Sequence, residues 1–69
     1  MNSMLVERVK KQFTEGTKVY LYGMYGEPQM CDLYGEVIGV DDIGQVHMQW
    51  ENGSTLALNV ECDNFVIVG

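Results

Sequence analysis

Lysine and arginine vanish from this chain after Lys18: the four basic residues are Arg8, Lys10, Lys11 and Lys18, and none follows in 69 residues. Acids are plentiful where bases are missing, at Glu27, Asp32, Glu36, Asp41, Asp42, Glu51, Glu61 and Asp63, and the net charge is −6. Nucleic-acid binding draws most of its affinity from Lys and Arg neutralising phosphates, so direct contact of this body with DNA or RNA is not expected. The reverse is expected, because an acidic surface attracts a basic surface on another protein. Such charge also keeps a small domain soluble, with no partner involved.

Other scarcities narrow the field. No apolar run approaches the roughly 20 residues of a membrane-spanning helix, so no membrane partner is expected. Met1 to Arg8 lacks the apolar stretch of a secretory signal, which leaves the cytoplasm as the expected location. Cys31 and Cys62 are too few for a disulfide scaffold, and their spacing is not that of zinc ligands. Two free thiols in a reducing compartment are expected, and no cofactor or metal. His47 is the one histidine, with no nucleophile near it in sequence. Asp41-Asp42 lacks the alternating oxygen ligands of a calcium loop and reads as a turn. No nucleophile–base pair and no phosphate-cradling glycine loop is present, so no enzyme is expected.

What remains is short-range order. Ser3 is placed to cap a helix whose apolar positions Leu5, Val6, Val9 and Phe13 fall on one face, with Gly16 closing it. A helix of about ten residues is marginal alone and must dock on something. After Gly16 the period changes to two. Thr17–Tyr22 reads as a strand with Val19 and Leu21 on one side and Tyr20 and Tyr22 on the other. Gly23–Asp32, with the only proline, Pro28, reads as a long loop. Gly35–Val40 and Gln45–Trp50 are two further strands, joined by an Asp41–Gly44 turn, with Val46, Met48 and Trp50 inward. Asn52-Gly53 predicts a tight primed hairpin turn. Leu56 and Leu58 continue the inward row on a fourth strand, and Phe65–Val68 closes the chain as a fifth. The expected architecture is mainly β: a small five-stranded SH3-like barrel (residues 16–69) with one N-terminal α-helix (residues 1–15), together a single domain. An OB-type barrel is the alternative fold. Closure would hide strand edges that so small a chain could not otherwise protect.

The stretch Gly35–Ser54, G-E-V-I-G-V-D-D-I-G-Q-V-H-M-Q-W-E-N-G-S, resembles a family of short bacterial and phage domains of unknown function found on mobile elements of Gram-positive bacteria. Its members carry a G-x-V-x-G-V-D-D-x-G-x-[IV]-x-V-x-W-[DE]-N-G-S core. The likeness extends from Gly16-Thr17 to Asp63-x-Phe65. The W-[DE]-N-G segment is also similar to the SH3-like repeats of mind-bomb-type ubiquitin ligases, which bind peptides. The resemblance implies a fold and no activity. Where relatives carry Arg or Lys on the first strand and in the next loop, this chain has Tyr20, Tyr22 and Glu27.

In SH3-like barrels a loop-lined aromatic groove is the usual peptide surface. Tyrosines beside carboxylates suit a Lys- or Arg-bearing partner through charge pairing and cation–π contact. The expected function is therefore a non-enzymatic protein-binding module that engages a basic segment or groove. Tyr25, Glu27, Asp32 and Tyr34 of the long loop would carry it, with Asp41 and Asp42 nearby. The alternative is an inhibitor carried by a mobile element that mimics nucleic-acid charge in the channel of a nucleic-acid-binding enzyme, a host defence nuclease. A homodimer through the helix or the last strand is a further expectation, since so small a core gains from a second chain. Tyr20 and Tyr22 have two uses at this level, as part of the groove or as the seat of the N-terminal helix.

Overall fold

The computed structural model describes residues 3–69, Ser3 by its backbone alone, so the capping role expected of its side chain lies outside the described residues. Helix α1 spans Ser3–Gln12, and strands β1 (Lys18–Gly23), β2 (Leu33–Val40), β3 (Val46–Trp50) and β4 (Asn64–Ile67) follow. All pairings are antiparallel, and the four strands form one open sheet in the order β3-β2-β1-β4.

One face of this sheet is the core. Val19 and Leu21 of β1, Val37 of β2 and Val46, Met48 and Trp50 of β3 are buried together, as alternation in each strand requires. Val9 of helix α1 and Phe13 just past its end join the same cluster, and Phe13 meets Phe65 of β4 with ring centroids 5.7 Å apart. Lys10 in the last turn pairs with Asp42 at 3.1 Å and ties the helix to the β2–β3 turn. Past the helix, the Gly16 N–H donates to the Val37 carbonyl at 2.8 Å with Gly16 at φ 90°, so the chain enters β1 already hydrogen-bonded to β2.

The fold departs from the expected five strands in one segment. Leu58 exchanges hydrogen bonds with Val46 as an isolated bridge, and no strand forms around it. Leu58 is fully buried as expected, but Leu56 is outward and 39% exposed. The cause is local. Trp50 donates its indole Nε1–H to the Leu56 carbonyl at 2.9 Å, and Ser54 Oγ accepts the Leu56 N–H at 3.2 Å. Backbone groups that a ladder would need are thus taken by side chains.

The Asn52-Gly53 turn is also of another type. A primed turn needs positive φ at both central residues. Among the described residues only Asp32 and four glycines have it, Gly53 at 88° and Gly44 at 86° included. The Gly53 N–H donates to the Trp50 carbonyl and the Trp50 N–H to that of Ser54, both at 3.0 Å. The result is a three-residue loop ended by a left-handed glycine. The β2–β3 turn repeats it, with Gly44 bonded to Asp41 and Asp41 to Gln45.

Candidate functional site

The other face of the sheet carries tyrosines. Register sets Tyr20 of β1 opposite Tyr34 of β2, and Lys18 opposite Glu36. Tyr22 follows Tyr20 by two residues and so shares its face. The Tyr20 ring sits between the other two, 4.8 Å from Tyr34 and 5.0 Å from Tyr22 by centroids, edge-on to Tyr22. Tyr22 and Tyr34 are 50% and 55% exposed, so ring area faces solvent on both sides of Tyr20. The helix seats on the core face, packed with Val19 and Leu21. That resolves the two uses of Tyr20 and Tyr22: the helix does not cover them.

Carboxylates frame this row. Tyr20 donates its hydroxyl to Asp32 Oδ1 at 3.0 Å, and that bond, chief among several causes, raises the phenol above its ordinary value. Asp32 holds a left-handed backbone, φ 53°, which Asp tolerates better than most residues. It turns the chain from the long loop into β2 while presenting its carboxylate to Tyr20. Glu51 accepts the Tyr34 N–H at 3.2 Å and donates its own N–H to the Tyr34 carbonyl at 2.9 Å. Glu36 pairs with Lys18 on the same face. Tyr34, Glu36, Glu51, Lys18 and Gln49 line a shallow cleft of about 470 Å³ floored by Gly35 and Trp50. Three carboxylates against one ammonium leave this face negative.

The expected site residues divide into three places. Asp32 and Tyr34 lie on the tyrosine face. Tyr25 and Glu27 lie in the loop before it: the Tyr25 N–H donates to Asp63 Oδ1 at 3.0 Å, its ring is 80% exposed, and Gln29 donates to Glu27 at 2.7 Å. Asp41 and Asp42 follow the other end of the eight-residue β2, in the turn that leads to β3. Asp41 accepts the N–H groups of Ile43 (3.1 Å) and Gln45 (2.9 Å) and touches His47 Nε2 at 2.9 Å. The Gln45 N–H does most to hold the Asp41 carboxyl below its ordinary value, although its partial burial opposes this; His47 and the Ile43 N–H contribute less. This is turn chemistry. Glu36 and Glu51 are members of the face that sequence reasoning passed over, although alternation from Val37 already turns Glu36 outward.

Among the described residues no group of three or more His, Cys, Asp or Glu is placed to hold a metal ion, and no helix is long and apolar enough to cross a membrane. Cys31 and Cys62 are free and exposed.

A family model described as Domain of unknown function (DUF4314) matches residues 2–68. The chain belongs to this family. The DUF4314 match thus takes in α1, all four strands and every residue of the tyrosine face. No curated protein and no solved structure matches the chain.

Proposed function

We propose that this DUF4314 domain is a non-enzymatic protein-binding module whose tyrosine face takes a basic segment of a partner protein. The observation that carries the reading is the Tyr22–Tyr20–Tyr34 row, left open to solvent and framed by Asp32, Glu36 and Glu51. Cross-strand aromatic pairs stabilise a sheet, but Tyr22 and Tyr34 each keep about half of their surface exposed, which leaves ring area for a partner. An Arg or Lys side chain laid over such a ring gains about 0.5–1 kcal/mol at an exposed site, and the carboxylates add charge complementarity. The partner is a basic protein surface, the protein cytoplasmic, and nucleic acid itself is not bound. The SH3-like reading of the fold belongs to the same proposal. It rests on the Val46–Leu58 bridge, which brings the chain back along the β3 edge where a fifth barrel strand would run. The charge-mimic reading draws less support, because Asp41 is committed to its turn and Asp42 to Lys10.

Titrating an Arg- and Lys-rich peptide into isotope-labelled protein tests the proposal. Resonance shifts are expected at Tyr20, Tyr22, Tyr34 and Asp32, with affinity falling several-fold in Tyr34→Ala. Shifts confined to the 41–45 turn, or none, would overturn it.

A further inference from the structure

The two edges of the sheet are treated differently. Along β3 the outer edge is occupied: Val46 exchanges hydrogen bonds with Leu58, and the Trp50 N–H goes to the Ser54 carbonyl. Strand β4 is the last in the order β3-β2-β1-β4 and, among the described residues, has β1 as its one neighbour. Its segment Asn64-Phe65-Val66-Ile67-Val68 contains no charge and no proline, and β-branched residues dominate it. Val66 and Ile67 are each 39% exposed and Val68 51%, so apolar surface is open on both sides of the strand. The pairing with β1 runs in register from Val19–Ile67 to Leu21–Phe65, with the irregularity confined to the Asn64 end. Of the devices that blunt an edge, β4 has shortness, at four residues, but no inward charge, lysine, proline or central bulge.

We propose that β4 is a homodimerisation edge, on which the β4 of a second copy pairs antiparallel about Val66 to make one continuous eight-stranded sheet. A two-fold axis matches this edge to itself, as an isologous contact requires. Charge favours the antiparallel arrangement. Asp63 precedes β4, its carboxylate fixed by the Tyr25 and Asn59 N–H groups at 3.0 and 2.8 Å. Pairing about Val66 sets the Asp63 carboxylates of the two copies at opposite ends of the seam. A parallel arrangement would set Asp63 beside Asp63. Val66 lies opposite Tyr20, so the dimer also joins two tyrosine faces into one surface with a strand spacing of about 4.8 Å. This inference does not depend on what that face binds.

Each copy carries −6, so long-range repulsion weakens the dimer and added salt strengthens it. Sedimentation equilibrium of the full chain from about 10 to about 500 µM reads the mass-action shift directly. The mass is expected to rise from 7.8 kDa toward twice that value, at lower concentration in about 0.5 M salt than in dilute buffer. Val66→Lys and, separately, Val68→Lys each place a charge on the edge at an exposed position. Both are expected to hold the protein monomeric with an unchanged circular dichroism spectrum. Amide exchange at Phe65–Val68 in the unmodified chain should slow as protein concentration rises. A 7.8 kDa species throughout at both salts would overturn the proposal, and so would a dimer that both lysine variants leave intact.

Discussion

Gly35 and Trp50 face each other across β2 and β3, and the indole lies where a Gly35 side chain would be. A Cβ built on Gly35 would fall 2.7 Å from Trp50 Cζ3 and 3.0 Å from Cδ2, and nearer still to Cε3. Swinging the ring away would break its Nε1–H bond to the Leu56 carbonyl, 2.9 Å long. Gly35 is therefore chosen for space, with no special φ involved. Gly35→Ala is expected to cost about 1–3 kcal/mol through overpacking. Thermal unfolding should show a fall in Tm of several degrees, about 4–8 °C per kcal/mol for a domain of this size. An unchanged Tm would mean that the indole has another seat.

Met30 supplies the second prediction. It is 1% exposed although it lies in the long loop, and Asn52 donates to its sulfur at 3.4 Å. The Met24 N–H also reaches the Met30 carbonyl at 3.0 Å, folding the loop over its own side chain. Met30→Ala should destabilise by about 2–5 kcal/mol. Urea unfolding monitored by Trp50 fluorescence measures this, whereas Gln29→Ala next to it should leave the midpoint nearly unchanged.

These two residues mark what could be read from the chain and what could not. The core face of β1 and β3 is legible because both strands alternate strictly, and alternation alone sets Val19, Leu21, Val46, Met48 and Trp50 inward. Helix α1 is legible from its spacing of three and four, which correctly places Val9 and Phe13. Met30 is illegible, because a single apolar residue among Pro28, Gln29 and Cys31 has no period to betray its burial. The missing fifth strand fails for a related reason. Leu56 and Leu58 alternate well, but the Trp50 and Ser54 side chains compete for the backbone between them, and that competition depends on tertiary contact. Of the face, the exposure of Tyr34 and its nearness to Asp32 follow from sequence. That Asp41 and Asp42 belong to the turn at the other end of β2 follows only once β2 is known to run for eight residues.

Asp41 gives a pH dependence of definite sign. Its carboxyl titrates below the usual 3.8, chiefly through the Gln45 N–H, so the folded state binds its proton more weakly than the unfolded state does. The resulting stability is fully present above about pH 4 and is lost as pH falls through the depressed folded value. Denaturation midpoints measured from pH 7 down to pH 2.5 should therefore drop in the unmodified chain. In Asp41→Asn the starting stability should be lower and the acid limb shallower. Equal acid limbs in the two proteins would assign the drop to other carboxylates.

Tyr20 titrates in the opposite sense. The hydroxyl donates to Asp32, and ionising the phenol would both break that bond and set two negative charges 3.0 Å apart. Its folded value is accordingly raised above 10.0, with the Asp32 hydrogen bond as the largest cause. A phenol that holds its proton more tightly when folded contributes stability below pH 10 that disappears as pH rises through the folded value. In Asp32→Asn the bond to a carboxylate and the adjacent charge are both removed, so the Tyr20 titration should move back toward 10. NMR of ring-labelled tyrosine follows each phenol separately, which makes Tyr20 its own reporter. Asn also tolerates the left-handed backbone at position 32, so the loop should keep its path and the change should be confined to the phenol. A Tyr20 midpoint unmoved by Asp32→Asn would place the carboxylate elsewhere in solution, and with it the acidic rim of the tyrosine face.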